Sequence, residues 1–158
     1  MIRGLPSYIS FASKKALTAA AANYGCAMLW AEGHTECPVL TGAEQSLVFT
    51  ELDLSTRYDE LAPKGQVDLI VIGCPQASLE EIRITAAAVR SHSEMGKLIP
   101  NERLWVFTSR HNYDLAEADG SIGVLEEAGA VILQDTCPEV TPYNRCLLYT
   151  SPSPRDRG

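Results

Sequence analysis

The sequence predicts a three-layer α/β/α fold built on a mostly parallel sheet. Three observations point there. Short, β-branched apolar runs recur at 67–72, 103–107 and 131–133. Strands buried on both faces read as such continuous runs. Segments of helical length separate them, roughly 79–92 and 111–128. The resulting strand–helix–strand–helix–strand order implies parallel strands joined by right-handed crossovers.

Taken in order, 13–24 is rich in strong helix formers. Ser13 is placed as its N-cap and Gly25 as the residue beyond its last turn. The apolar run 26–31 has the length of a buried strand. Gly33, Pro38 and Gly42 mark a loop. A short helix is expected to begin within 43–49, and the helical pattern of 50–61 is weaker. Pro63-Lys64-Gly65 reads as a turn. Val67 to Ile72 is the first strand of the repeating series, ended by Gly73-Cys74-Pro75-Gln76. Ser78 and Glu81 then form a capping box. The helix it opens runs to about His92 and buries Ile82, Ala86 and Val89. Arg103 to Phe107 is the next strand, followed by Thr108-Ser109-Arg110. A helix covers about 111–128, with an interruption near Gly120 and a stop at Gly129. Val131 to Leu133 is the last strand, ended by Asp135-Thr136-Cys137-Pro138. No internal repeat and no domain boundary stands out within 1–145. The stretch 33–46 is the one candidate for a loop between substructures.

The chain has 158 residues, of which 46% are hydrophobic, so one ordinary domain with a real core is affordable. No apolar run approaches the roughly 20 residues that span a bilayer, and the first residues lack the pattern of a signal peptide. A cytoplasmic location and no membrane partner are expected. The formal charge is −7, and the basic residues are scattered apart from Lys14-Lys15 and the C-terminus. That distribution argues against nucleic acid as a partner. The five cysteines, Cys26, Cys37, Cys74, Cys137 and Cys146, show no CxxC pairing. A disulfide framework or zinc ribbon would space them more closely.

The tail from Cys146 to Asp156, CLLYTSPSPRD, matches codon by codon the translation of a common transposase-type sequencing adapter. Residues 146–158 are therefore set apart from fold reasoning, and Cys146 carries no chemistry. The natural gene is expected to continue past Arg145. A genuine Ser/Pro-rich disordered tail is the alternative.

In a parallel sheet, ligands bind outside the C-terminal ends of the strands. Cys74, Ser109, Arg110, Asp135 and Cys137 should therefore lie along one edge. Two thiols brought there by separate strands suit iron or another soft metal. The same placement also fits two small buried residues, and spacing alone does not choose between them. Ser109 and Arg110 suit a carboxylate or phosphate, helped by the N-terminus of the following helix. A plain Ser cap beside a solvated Arg fits equally. Cys26, inside its apolar run, is expected in the core, and Cys37 is expected to have no role. His34 is a possible acid–base group, whereas His92 and His111 belong on helix surfaces. No GxSxG elbow, GxxxxGK[ST] loop or GxGxxG fingerprint is present, which lowers hydrolase, P-loop and dehydrogenase readings.

These residues carry a family resemblance. Val67 to Glu81, VDLIVIGCPQASLEE, resembles the strand followed by GCPH-x-SLEE of the aconitase X family. Leu104 to Arg110 resembles its LWVFTSR segment. Leu125 to Ala130, with Asp135-Thr136-Cys137-Pro138, resembles its EEAGA and DTC segments. The likeness is specific across 67–138 and looser upstream, where it reaches residue 12. It implies that residues 1–145 are part of the catalytic subunit of an iron–sulfur hydro-lyase with an aconitase-like fold. The implied substrates are mevalonate 5-phosphate or cis-3-hydroxy-L-proline. Carried over by position, Cys74 and Cys137 are the implied cluster ligands. Iron would then act as a Lewis acid on the departing hydroxyl while a base removes a proton.

The sequence also departs from the family. Gln76 stands where the family has His, and Asn23-Tyr24-Gly25 stands in place of a Ser-Ser-Gly-like segment. The loop Gly33 to Pro38 is altered. Further cluster and substrate residues are expected from an N-terminal portion. A small swivelling domain or subunit, which carries the family's catalytic serine, is the expected partner. This chain alone is therefore expected to be inactive. The competing readings are an α/β protein that binds a small carboxylate or phosphate without a cluster, and a non-catalytic interaction module.

Overall fold

The computed structural model describes residues 1–36, 47–65, 67–95 and 103–140. The chain divides into two units, Met1–Val67 and Asp68–Gly158, at a point where the sequence shows no boundary. Cys37, the start of the helix expected within 43–49, and the tail 146–158 lie outside the described residues.

In the first unit, α1 spans Phe11–Asn23. Its N-cap is Ser10, three residues before the expected Ser13, and the Ser10 hydroxyl accepts the Ser13 N–H at 3.1 Å. Gly25 lies beyond the last turn as expected, with φ of 82°. The strand expected over 26–31 does not form. Among the described residues Ala31 makes a single parallel bridge, to Ile2, without the ladder of partners a strand needs. Cys26, expected in the core, is exposed. Residues 47–50 are not helical, and α2 begins at Glu51 and ends at Leu61. A capping box opens it, with Thr50 bonded to the Asp53 N–H and the Asp53 carboxylate accepting the Thr50 N–H at 2.7 Å. The Thr50 hydroxyl, donating to Asp53 Oδ2 at 2.7 Å, and then the Thr50 N–H hold the Asp53 carboxyl below its ordinary pKa. Neither α1 nor α2 contains a buried residue.

The second unit carries the expected βα series. Strands β1 (Ile70–Ala77), β2 (Leu104–Thr108) and β3 (Val131–Gln134) form a parallel sheet in the order β1-β2-β3. Helix α3 spans Leu79–Glu94 between β1 and β2. Its Ser78 and Glu81 make the expected capping box, a feature worth about 1 kcal/mol. The segment expected as one interrupted helix forms α4, Arg110–Ala118, and α5, Ser121–Glu127. Gly120 breaks it with φ of 83°.

Side chains alternate across a strand. Leu104 and Val106 of β2 join Ile82, Ala86, Val89, Ala116, Ile122 and Leu125 in one core between the sheet and helices α3 to α5. The buried face of α3 is thus the expected Ile82, Ala86 and Val89. Trp105 and Phe107 alternate to the other face, their ring centroids 6.4 Å apart. Among the described residues, no helix is long and apolar enough to cross a membrane.

Asp119 fastens the α4–α5 turn to α3. It accepts the Ser121 N–H at 3.0 Å and the Arg83 guanidinium at 2.7 Å. The bonds from Ser121, then Arg83, hold its carboxyl below the ordinary carboxylate range. A carboxyl lowered on folding contributes stability above its unfolded pKa and loses it as pH falls through the folded value. Asp119→Asn should therefore destabilise the protein at neutral pH. The gap from the unsubstituted protein should narrow progressively in urea melts as pH falls below the ordinary Asp value of about 3.9. A gap that persists in acid would disprove the electrostatic origin.

Candidate functional site

The sequence expectation that β1 stops at Ile72 needs correction. Ile72 pairs with Val106, and pairing resumes at Ala77 opposite Thr108. Gly73-Cys74-Pro75-Gln76 is thus a bulge facing Phe107, inside the strand. Pro75 lacks an N–H to pair, and Gly73 takes φ of 112°, so the chain leaves the ladder and returns to it. The Cys74–Pro75 peptide is cis. A Cβ added at Gly73 would lie 2.2 Å from the Phe107 carbonyl oxygen.

Hydrogen bonds join the ends of the three strands. The buried Thr108 hydroxyl donates to the Ala77 carbonyl at 2.7 Å, and the Asn112 side-chain amide donates to the same oxygen at 3.2 Å. The Asp135 N–H donates to the Thr108 carbonyl at 2.9 Å. The Gln76 side-chain amide donates to the Thr136 carbonyl at 2.9 Å. That last bond crosses the end of β2, because β1 and β3 are the outer strands. It ties the segment carrying Cys74 to the segment carrying Cys137. Cys74 is exposed and Cys137 half-buried.

Ser109 is the N-cap of α4, its hydroxyl accepting the Asn112 N–H at 3.3 Å. Arg110, exposed, donates its backbone N–H to Asp135 Oδ1 at 2.9 Å. Its guanidinium lies 3.2 Å from Asp135 Oδ2. Two of the groups expected to greet an anion are thus engaged within the protein. His34 belongs to the first unit, where its Nε2 donates to the Pro6 carbonyl at 2.8 Å. His92 and His111 are exposed on α3 and α4, as expected.

Sequence reasoning missed Thr108, Asn112 and the bond made by Gln76. Thr108 and Asn112 flank the Ser109-Arg110 pair, so the clustering of polar residues just after a buried strand was the available signal.

Thiolate sulfur is a suitable donor for iron in a cluster. Cys74 and Cys137 have that donor chemistry, and the Gln76–Thr136 bond links the loops that carry them, so the two would suit such a group. Among the described residues, no group of three or more His, Cys, Asp or Glu completes a metal site.

The family described as aconitase X third domain matches residues 67–150, beginning at the division between the two units and running into the start of the set-apart tail. The large subunit of phosphomevalonate dehydratase from Aeropyrum pernix is 33% identical over 92 residues, 58% of this chain and 22% of that protein. Its counterpart from Methanothermobacter thermautotrophicus is 38% identical over 90 residues, 57% and 20% of the two chains. That from Methanosarcina mazei is 34% identical over 113 residues, 68% and 25%. The chain thus spans about a fifth to a quarter of these relatives. The crystal structure of Thermococcus kodakaraensis aconitase X in its holo-form superposes with a TM-score of 0.74 at 27% identity, covering 92% of this chain and 37% of that one. The βα series, the joined strand ends and the match over residues 67–150 agree: this chain belongs to the aconitase X family.

Proposed function

We propose that this chain is part of the large, catalytic subunit of an iron–sulfur hydro-lyase that dehydrates mevalonate 5-phosphate. The observation that carries the reading is the joined edge of β1, β2 and β3, in a chain of this family. The relatives named as phosphomevalonate dehydratase large subunits favour that substrate over cis-3-hydroxy-L-proline.

In this reading Cys74 and Cys137 are cluster ligands. When bound, the cluster supplies Lewis acidity for loss of a hydroxyl. Ser109 and Arg110 hold an anionic group of the substrate. The α4 N-terminus adds its positive dipole end. Gln76 sets the spacing of the two cysteine loops by holding the Thr136 carbonyl. A small swivelling subunit completes the site, so this chain alone is inactive. The enzyme works in the cytoplasm.

Purified without oxygen, the complete two-subunit protein should be brown and should dehydrate mevalonate 5-phosphate. Cys74→Ser or Cys137→Ser should each cut bound iron more than about tenfold, read by iron analysis and visible absorbance. An active protein that is colourless and iron-free would defeat the cluster. It would leave the second reading, a cluster-less member that binds a small carboxylate or phosphate. Gln76, in place of the family's histidine, is the observation that favours it.

A further inference from the structure

Asp135 stands out on its backbone before its side chain is considered. Among the described residues it is the one non-glycine residue with positive φ, at 53°. An L-residue with a Cβ is disfavoured there, and Asp tolerates the region better than most. A residue held in such a conformation needs surrounding bonds that over-determine it. Asp135 has three. Its N–H donates to the Thr108 carbonyl at 2.9 Å. Its Oδ1 accepts the Arg110 N–H at 2.9 Å, and its Oδ2 lies 3.2 Å from the Arg110 guanidinium.

Both carboxylate oxygens thus address the same arginine, one at its backbone and one at its side chain. The pair is largely exposed, so it contributes little to stability as a surface ion pair. Its geometric consequence is larger. A guanidinium is a rigid planar fork with five N–H donors. One fixed nitrogen limits the directions in which the others point. Because β3 is hydrogen-bonded to β2 and α4 follows β2, the clasp spans two rigid elements. A left-handed residue just after β3 is what turns this carboxylate back toward α4.

We propose that Asp135 is a positioning residue: it aims the Arg110 guanidinium at the anionic group of the substrate beyond the strand ends. The inference rests on the reading of Arg110 as a substrate-binding residue given above. Asp135 touches Arg110 and not the substrate, so it acts on binding rather than on the chemical step.

The test uses the complete two-subunit enzyme, mevalonate 5-phosphate as substrate, and four variants. Arg110→Ala is expected to raise KM about tenfold. Asp135→Gly removes the carboxylate at a position where glycine is at ease, so folding is preserved or improved. It should raise KM by a similar factor with kcat within about twofold. Asp135→Asn keeps an oxygen for the Arg110 N–H and should recover part of the loss. The double variant Arg110→Ala with Asp135→Gly should be no worse than Arg110→Ala alone, because groups acting as a unit are not additive. Three results would overturn the proposal: Asp135→Gly leaving KM unchanged while Arg110→Ala raises it; the two effects multiplying; or a loss confined to kcat. If Arg110→Ala itself leaves KM unchanged, the substrate-binding reading of Arg110 fails first and the proposal falls with it.

Discussion

Gly73→Ala is expected to lower the unfolding free energy by roughly 4 kcal/mol. Two costs add at this position. The φ of 112° lies where a Cβ is strongly disfavoured. The new methyl would also sit 2.2 Å from the Phe107 carbonyl oxygen and 3.0 Å from the Phe107 Cβ. That neighbour is backbone of the central strand and cannot swing aside, and Phe107 itself is fully buried. The bulge or β2 must therefore move. Gly120→Ala is the matched control. Gly120 also has a positive φ, 83°, but nothing lies within 4 Å of its added Cβ. It should cost only the conformational part, about 1 kcal/mol. Urea denaturation of both variants reads the difference. Equal losses would show that contact with Phe107 carries no energy. On the proposed reading of Cys74 as a cluster ligand, the same substitution should also reduce bound iron in the complete protein, because Gly73 begins the bulge that carries Cys74.

Ile82→Ala should cost about 3 kcal/mol, within the range for truncating a buried aliphatic side chain. Ile82 is 0% exposed and belongs to the core between the sheet and helices α3 to α5. Removing most of its side chain loses transfer free energy and leaves a cavity in a region already packed on all sides. Ile84 supplies a comparison on the same helix. It is 62% exposed, so Ile84→Ala should change stability by no more than about 0.5 kcal/mol. The urea midpoints of the two variants check this. Similar losses at 82 and 84 would mean that α3 presents a different face to the sheet.

The contrast between these isoleucines explains why α3 was legible in the sequence. Ser78 and Glu81 mark its start by local hydrogen bonding, and Ile82, Ala86 and Val89 recur at helical spacing. Both signals lie within a few residues of chain. The run 26–31 misled because apolar composition alone resembles a strand. Whether it becomes one depends on partners elsewhere, and among the described residues only Ile2 supplies a bridge, to Ala31. The bulge at 73–76 misled in another way. Gly and Pro together signal an end to pairing, yet Ala77 rejoins β2 at Thr108. At the candidate site, the sequence placed Cys74, Ser109, Arg110, Asp135 and Cys137 near strand ends. It carried no sign that Asp135 would occupy Arg110, or that Gln76 would hold Thr136.

By itself, the sequence determined the βα rhythm of 70–134, the N-terminal capping box of α3, the break at Gly120 and the family to which the chain belongs. These depend on backbone propensity, side-chain period and short motifs, all of which act locally. Tertiary structure alone decided the excursion of Gly73 to Gln76, the exposure of Cys26 and the clasp of Asp135 on Arg110. Cys26 is exposed because its run finds no strand partner among the described residues beyond the one bridge to Ile2. The excursion and the clasp depend on groups that meet in space only after the strands have paired, across separations of 25 residues for Asp135 and Arg110 and 60 for Gln76 and Thr136.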